Sequence, residues 1–277
     1  MTHLRRDLLR NGEWVAMNKV ESPIRRLQVD RLPVEVYGSR AAMGAAAAAV
    51  AQEVVQRAVE ERGWANVILA TGNSQLSFLH ALRDLPDVPW PRVRVFHMDE
   101  YIGIDPAHPA SFPLFLRQHI LGKVKPGVFY PVPSQTDDIG AACAEYESLL
   151  REFPADLVAL GFGENGHLAF NDPPWARFDD PQWVKVVELD ETSRRQQVGE
   201  GHFPTLADVP THAITLTIPA LLAANRVLAI VPESRKVAAV RACLYEPVSE
   251  DRPGSILRTV DHATLYLDPE SAAGLES

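Results

Sequence analysis

Short runs of apolar residues alternate with helical stretches along most of this sequence, and this alternation constrains the fold more than any other feature. Residues 67–70 and 157–160 are apolar at every position, as strands are when both faces of a parallel sheet are covered. Strands that alternate with helices form βαβ units. The sequence therefore predicts an α/β fold: a single doubly wound, Rossmann-like domain with a mostly parallel sheet and helices on both faces.

Eight strands and five helices are predicted from the apolar patterns. The predicted strands are residues 34–37, 66–70, 93–97, 157–161, 184–189, 213–217, 226–231 and 264–267. The predicted helices are residues 39–62, 75–82, 113–121, 138–152 and 234–244. Residues 1–30 are charged and are predicted to be an irregular N-terminal extension, followed by one α/β domain over residues 31–277. Ligands of such sheets bind beyond the carboxyl ends of the strands, so functional side chains are expected in the loops that follow strands.

Charge and composition disfavour several classes of partner. The chain has 27 Lys and Arg against 36 Asp and Glu, a net charge of −9, which disfavours nucleic acids and anionic membranes. The longest nearly unbroken apolar run, residues 41–51, is shorter than the roughly 20 residues of a membrane span, and no secretion signal is recognised. Cys143 and Cys243 match no metal or disulfide spacing. We therefore expect a cytoplasmic protein with no nucleic-acid or membrane partner.

The loop after the predicted strand 66–70 is a candidate phosphate site. It reads Thr71, Gly72, Asn73 and Ser74 and leads directly into a predicted helix. Glycine permits a tight turn, and the free N–H groups at a helix start favour an anion. The alternative is an ordinary helix start with Ser74 as its N-cap.

The loop after the predicted strand 93–97 begins with two consecutive carboxylates, Asp99 and Glu100. Adjacent side chains of an extended segment point in opposite directions, so one is expected to face the ligand and the other to serve structure. A half-buried carboxylate with a raised pKa can accept and return a proton; the alternative is a solvated loop. A cluster of His97, Asp99, Asp105 and His108 matches no metal-ligand spacing, and neither a metal nor a cofactor is predicted.

The loop after the predicted strand 157–161 contains a glycine pattern. Gly161, Gly163 and Gly166 fit the G-x-G-x-x-G pattern of dinucleotide-binding proteins, with Glu188 further along the chain. That motif requires a helix after the third glycine, and prolines at 173, 174 and 181 prevent one before the next strand. A dinucleotide site is therefore not predicted, and the glycines are expected to let the backbone approach a different ligand closely.

Two further side chains follow strands in the same way. His167 is flanked by Asn165 and Asp172, either of which is placed to fix its tautomer or support its charged form; the alternative is a hydrogen-bonded structural histidine. Lys236 lies in the first turn of the helix after strand 226–231. A cation is unfavourable there unless an anion is close, so Lys236 indicates phosphate binding, with a solvated lysine as the alternative.

Together these segments resemble the glucosamine-6-phosphate deaminase/isomerase family, within the 6-phosphogluconolactonase superfamily. The resemblance covers about residues 35–268. The matching segments are Ala70-Thr-Gly-Asn-Ser74, Phe96-His-Met-Asp-Glu-Tyr-Ile-Gly103, Gly161-Phe-Gly-Glu-Asn-Gly-His-Leu-Ala-Phe-Asn-Asp172 and Ser234-Arg-Lys236. Residues 168–172 differ from what typically follows the histidine in lactonases, which favours the deaminase side.

The resemblance implies a role for each catalytic candidate. Asp99 matches the base that moves a proton between C2 and C1 of the sugar, and His167 matches the histidine that opens the ring. Asp172 stands where many members have a glutamate that orients this histidine, and Asn165 stands where members have Asp or Asn. The implied reaction converts glucosamine 6-phosphate and water into fructose 6-phosphate and ammonia, without a cofactor.

The resemblance also implies how the phosphate of the sugar is bound. Residues 71–74 and Lys236 match phosphate-contacting positions. Many members add an arginine from a mobile segment that follows the stretch matching residues 161–172. Arg194 or Arg195 stands near that place, and the resemblance does not choose between them. This segment is bracketed by prolines and is expected to close over the substrate as a lid.

Other readings remain open at this point. One is a hydrolase, such as a 6-phosphogluconolactonase, or an isomerase acting on a related sugar phosphate. Another is a non-catalytic sugar-phosphate sensor, disfavoured because some 30 N-terminal residues are too few for a DNA-binding helix-turn-helix. The expected partner is a phosphorylated amino sugar, and a homo-oligomer is compatible with the sequence.

Overall fold

The computed structural model describes residues 20–173, 175–199 and 201–275. The strands are β1 (Arg25–Val29), β2 (Leu32–Val36), β3 (Ala65–Leu69), β4 (Val93–His97), β5 (Asp99–Tyr101), β6 (Val128–Tyr130), β7 (Leu157–Leu160), β8 (Val184–Glu188), β9 (His212–Leu216), β10 (Arg226–Val231) and β11 (Ala263–Leu267). The helices are α1 (Arg40–Arg62), α2 (Leu76–Asp84), α3 (Phe112–Leu116), α4 (Gly122–Val124), α5 (Ile139–Glu152), α6 (Glu191–Gly199), α7 (Ile218–Leu222) and α8 (Val237–Tyr245). Each predicted strand and helix overlaps an observed element.

The main sheet has eight strands in the order β1-β2-β11-β10-β7-β3-β4-β6. The pairs from β2 to β6 are parallel, and β1 is antiparallel to β2 at one edge. Chain order runs outward from β3 towards β6 on one side and from β7 towards β11 on the other. The direction therefore switches between β3 and β7, and ligands bind at such a point in open α/β sheets.

Two hydrophobic clusters cover opposite faces of this sheet. One contains side chains of α1 and α2, and the other contains side chains of α5, α7 and α8. This arrangement confirms the predicted fold class. None of the helices in the described part of the chain combines the length and apolar character needed to cross a membrane.

The alanine-rich helix α1 packs closely enough to support the ligand-binding end of the sheet. The Ser39 side chain accepts a hydrogen bond from the Ala42 N–H at 3.1 Å and caps the helix, while Gly63 ends it in the left-handed region at φ 79°. A Cβ on Gly44 would lie 2.6 Å from the backbone of Ser77. Small residues on α1 thus let α2 approach it, and α2 follows directly on the 71–74 loop.

The predicted strands 184–189 and 213–217 belong to a second sheet, which corrects the assignment of all strands to one doubly wound sheet. β5, β9 and β8 form an antiparallel sheet of three strands. In β8, Val184 and Val187 are buried, whereas Val186 and Glu188 are exposed, so this strand is partly open to solvent. The Leu216 N–H donates to the Met98 carbonyl at 2.7 Å, which attaches the small sheet to the end of β4.

The prediction of an irregular N-terminal extension over residues 1–30 is wrong at its end, because residues 25–29 form β1. Leu27 and Val29 pack against the core beside β2, and Arg26 pairs with Glu35 of β2 at 3.3 Å. With two apolar residues in five, the segment lacked the pattern of a buried strand. Residues 1–19 of the predicted extension lie outside the described residues.

Candidate active site

An open cleft lies beyond the carboxyl ends of β3, β4, β7 and β10, where the strand order switches. The predicted residues that line it are Thr71, Gly72, Asn73, Ser74, Asp99, His167 and Lys236. Parallel strands bring their carboxyl ends to one edge of the sheet, and four loops far apart in sequence therefore meet in one cleft.

Asp99 and Glu100 point in different directions, as predicted. Asp99 faces the cleft. Burial and the neighbouring Glu100 carboxylate raise the pKa of Asp99 from 3.8 to about 8, against the opposing influence of His167. Asp99 is thus a carboxyl that holds a proton near neutral pH and can exchange it with a ligand.

The Glu100 carboxylate points into the protein and organises the neighbouring loop. It accepts hydrogen bonds from the N–H of Tyr101 at 2.9 Å, the hydroxyl of Ser111 at 3.1 Å and the N–H of Phe112 at 3.0 Å. Burial raises its pKa to about 7, although these three hydrogen bonds lower it. Glu100 therefore anchors the start of α3, and Phe112 of that helix lines the cleft.

His167 lies in the cleft with a carboxylate behind it. Its Nδ1 is 2.7 Å from Oδ1 of Asp172, which is 2% exposed. Burial lowers the pKa of His167, but the charge and hydrogen bonding of Asp172 outweigh that effect and the pKa is raised overall. The contact orients the ring and stabilises its protonated form, and Nε2 is the nitrogen left to meet a ligand.

Asn165 holds this pair together from the side. Its amide nitrogen donates to Oδ1 of Asp172 at 2.7 Å, and its carbonyl accepts the N–H of His167 at 3.0 Å. Asn165 is outside the set of cleft-lining residues. Its position is that of a residue that orients Asp172 and His167 without touching the ligand.

The glycines of residues 161–166 allow neighbouring side chains to pack close to the backbone. A Cβ on Gly163 would overlap the imidazole of His167, and one on Gly161 would lie 2.8 Å from Nε2 of Gln75. Gly166 adopts φ 85°, a conformation that glycine reaches without strain. The described residues between β7 and β8 form turns without a helix, as the prolines in this segment predicted.

The predicted phosphate end of the cleft is formed by two turns. Gly72, at φ 92°, leads into the 3₁₀ turn Asn73–Gln75, and neither this turn nor α2 has a side-chain cap. The alternative that Ser74 is an ordinary N-cap is therefore wrong. Lys236, 4% exposed, lies across the cleft in the 3₁₀ turn Ser234–Lys236. Arg235 also lines the cleft; the adjacent pair of basic residues at a helix start was the signal that could have identified it.

Arg194 and Arg195 are not among the cleft-lining residues. The structure therefore does not bring either predicted arginine to the other predicted site residues. Nη2 of Arg194 donates to the carbonyls of Leu206 and Val209, at 2.7 and 2.9 Å. Arg195 is exposed and pairs with Glu191 one turn earlier. Both guanidinium groups are thus used within the segment itself.

The predicted lid segment contributes different residues, Gln197 and His202. Phe203 holds this segment against the protein by packing edge-on against Tyr101, with 5.6 Å between ring centroids, and by stacking on His108 at 5.1 Å. No local pattern distinguishes Gln197 or His202 in the sequence. Within the described residues, no group of three or more His, Cys, Asp or Glu side chains is placed to hold a metal ion.

Comparison with known proteins identifies the family. Residues 38–266 match the family described as glucosamine-6-phosphate isomerases/6-phosphogluconolactonase. The chain is 34% identical over 205 residues to a glucosamine-6-phosphate deaminase of Exiguobacterium sibiricum, covering 74% of this chain and 79% of that protein. It is 31% identical over 225 residues to one of Lactobacillus delbrueckii subsp. bulgaricus, covering 81% and 93%.

Solved structures agree with this assignment. A monomeric glucosamine-6-phosphate deaminase superposes with a TM-score of 0.79 at 26% identity, covering 87% of this chain and 99% of that chain. A 6-phosphogluconolactonase from Shewanella baltica superposes with a TM-score of 0.71 at 17% identity, covering 87% and 100%, which shows a shared fold. The resemblance inferred from the four motifs is confirmed, and the chain belongs to the family of glucosamine-6-phosphate isomerases and 6-phosphogluconolactonases.

Proposed function

We propose that this protein deaminates and isomerises glucosamine 6-phosphate, releasing fructose 6-phosphate and ammonia. One observation carries the proposal: a buried carboxyl with a raised pKa, Asp99, shares a cleft with a carboxylate-supported histidine, His167. Isomerisation of an aldose needs a group that takes a proton from one carbon and returns it to the next. Ring opening needs a second acid–base group at the ring oxygen.

Ring opening is the first step and uses His167. The imidazolium gives a proton to the ring oxygen as the C1–O5 bond breaks. The imidazole then takes the proton of the C1 hydroxyl, which leaves the open-chain aldehyde and restores the imidazolium. Asp172 keeps the ring in position and favours its charged form. Asn165 in turn fixes Asp172.

Proton transfer is the second step and uses Asp99. The ionised form of Asp99, a minor fraction at neutral pH because the pKa is about 8, removes the C2 proton. The aldehyde oxygen on C1 takes a proton from solvent, and the electron pair forms an enolamine between C1 and C2. The same carboxyl then returns the proton to C1, which leaves an iminium carbon at C2. Water adds to that carbon and ammonia leaves, giving the ketone of fructose 6-phosphate with no net oxidation or reduction.

The phosphate group binds at the other end of the cleft in this proposal. Lys236 supplies a buried positive charge, and the 71–74 turn supplies small polar groups and backbone N–H donors at a helix start. These contacts hold C1 and C2 at a constant distance from Asp99, which is the positioning that proton transfer needs.

The proposal is tested by ammonia release across a panel of sugar phosphates. The panel contains glucosamine 6-phosphate, galactosamine 6-phosphate, N-acetylglucosamine 6-phosphate and 6-phosphogluconolactone. We expect ammonia and fructose 6-phosphate in equal amounts from the first compound, with solvent deuterium appearing at C1. Lactone hydrolysis without ammonia release from any amino sugar would replace the proposal with the lactonase alternative.

A further inference from the structure

Arg235 is a cleft-lining cation that the catalytic scheme above does not use. Its Nε lies 2.5 Å from Oε2 of Glu233, and its Nη1 lies 3.6 Å from Oε1 of Glu164. Glu164 belongs to the loop that carries His167, and about half of its side chain is exposed at 47%. The guanidinium therefore lies between a largely buried carboxylate and one that is about half exposed to solvent.

The backbone of Glu233 is strained in a way that places this arginine. Glu233 adopts φ 85° and ψ 140°, a region that side chains other than glycine rarely enter and that persists where the surroundings enforce it. Its N–H donates to the Asp268 carboxylate at 3.2 Å, and its Oε1 lies 3.2 Å from Nη1 of Arg40. Its carbonyl accepts the N–H of Lys236 at 3.0 Å, which turns the chain so that Arg235 and Lys236 both reach the cleft.

The contacts that Arg235 makes with Glu233 and with Glu164 differ in strength because their surroundings differ. The contact with Glu233 is short and involves a carboxylate that is 16% exposed, whereas the contact with Glu164 is long and solvated. An exposed pair of this kind contributes little stability and is readily exchanged for another anion. A planar guanidinium can keep the bond from Nε to one carboxylate while its terminal nitrogens bind phosphate oxygens.

We propose that Arg235 is the second phosphate-binding cation of this cleft, that Glu233 positions it, and that Glu164 competes with the phosphate for it. The inference rests on the proposed function for the identity of the ligand. It assigns to the turn after β10 the contact that the sequence had suggested for Arg194 or Arg195. The turn after β10 lies at the carboxyl edge of the main sheet, and Arg235 lines the cleft from there.

The test measures KM for glucosamine 6-phosphate in single and double variants. Arg235→Met should raise KM about 10- to 100-fold, the usual effect of losing a charged hydrogen bond, with a smaller effect on kcat. Glu164→Gln should lower KM by up to about fivefold, the range of an exposed pair, and this gain should vanish in the Arg235→Met background. Arg177→Met, at an exposed arginine outside the cleft, is the matched control and should leave KM unchanged.

The positioning role of Glu233 has its own readout. Glu233→Gln keeps the size of the side chain and removes its charge, and it should raise KM about threefold to tenfold through the misplaced guanidinium. If Glu233 acts through Arg235, this effect disappears when Arg235→Met is already present. An effect of equal size in both backgrounds would overturn the positioning role.

Titration with inorganic phosphate separates this inference from the proposed reaction. We expect phosphate to bind the wild type and to bind Arg235→Met at least tenfold more weakly. If Arg235→Met binds phosphate more weakly but the wild type releases no ammonia, the proposed reaction is refuted and the assignment of Arg235 stands. If the wild type releases ammonia but Arg235→Met has the same KM and the same phosphate affinity, the assignment of Arg235 is overturned and the reaction stands.

Discussion

Replacing Asp99 by asparagine separates what this residue does in catalysis from its effect on the stability of the fold. If Asp99 transfers the C2 proton, the variant should lose about 10²- to 10⁴-fold in kcat, the usual contribution of one positioned acid–base group. Its affinity for substrate should change little, because phosphate is expected to bind to other loops. At the same time the variant should be more stable than the wild type near neutral pH.

The gain in stability follows from the shift of the Asp99 pKa, which is ordinarily 3.8 and rises to about 8 in the folded protein. At a pH between these two values, Asp99 holds a proton in the folded protein and has released it in the unfolded chain. Wild-type stability therefore falls as pH rises, by about 1.4 kcal/mol per pH unit. Asparagine carries no such proton, so the advantage of the variant should grow from near zero at pH 4 to on the order of 4 kcal/mol at pH 7.

Urea unfolding of both proteins at pH 5 and pH 7 measures this difference. The free energy of unfolding of Asp99→Asn minus that of the wild type should increase by about 3 kcal/mol between the two pH values. Asp179→Asn, at a carboxylate whose side chain is 81% exposed, is the matched control and should behave as the wild type does. A difference that does not depend on pH would show that Asp99 is ionised in the folded protein and would refute the electrostatic argument.

Three further substitutions test other parts of the site. Asp172→Asn should lower the pKa of His167, since the lost carboxylate is what raises it, and NMR titration of the imidazole would show this. The variant should lose more stability below pH 6.5 than above it, because the carboxylate stabilises the protonated ring. Gly163→Ala should displace the His167 ring that its Cβ would overlap, lowering kcat more than it raises KM; unchanged kcat would contradict the packing argument. Lys236→Met should raise KM for glucosamine 6-phosphate but not for unphosphorylated glucosamine, and an equal loss with both sugars would exclude a phosphate contact.

Much of the site could be predicted from the sequence because of a property of parallel sheets. Thr71, Asp99, Gly161 and Pro232 each lie within two residues of the carboxyl end of a buried strand. The carboxyl ends of parallel strands lie at one edge, so any residue just beyond them is brought near the others whatever the remaining structure does. The position of such a residue depends mainly on its covalent distance from a strand, which is visible in the sequence.

The remaining features depend on contacts between distant segments and were decided by the tertiary structure. Adjacent carboxylates have no local difference, and the roles of Asp99 and Glu100 were separated by Ser111 and Phe112, whose donors are built into the start of α3. The second sheet exists because β5 pairs with β9, more than 100 residues away.

The cations of the cleft were decided in the same way. Arg194 is turned towards carbonyls 12 and 15 residues further along the chain, whereas Arg235 is held at the cleft by a carboxylate whose backbone is fixed from Asp268. Sequence spacing reports which residues follow a strand. The direction in which a side chain points depends on its partners across space, and only the folded chain brings those partners together.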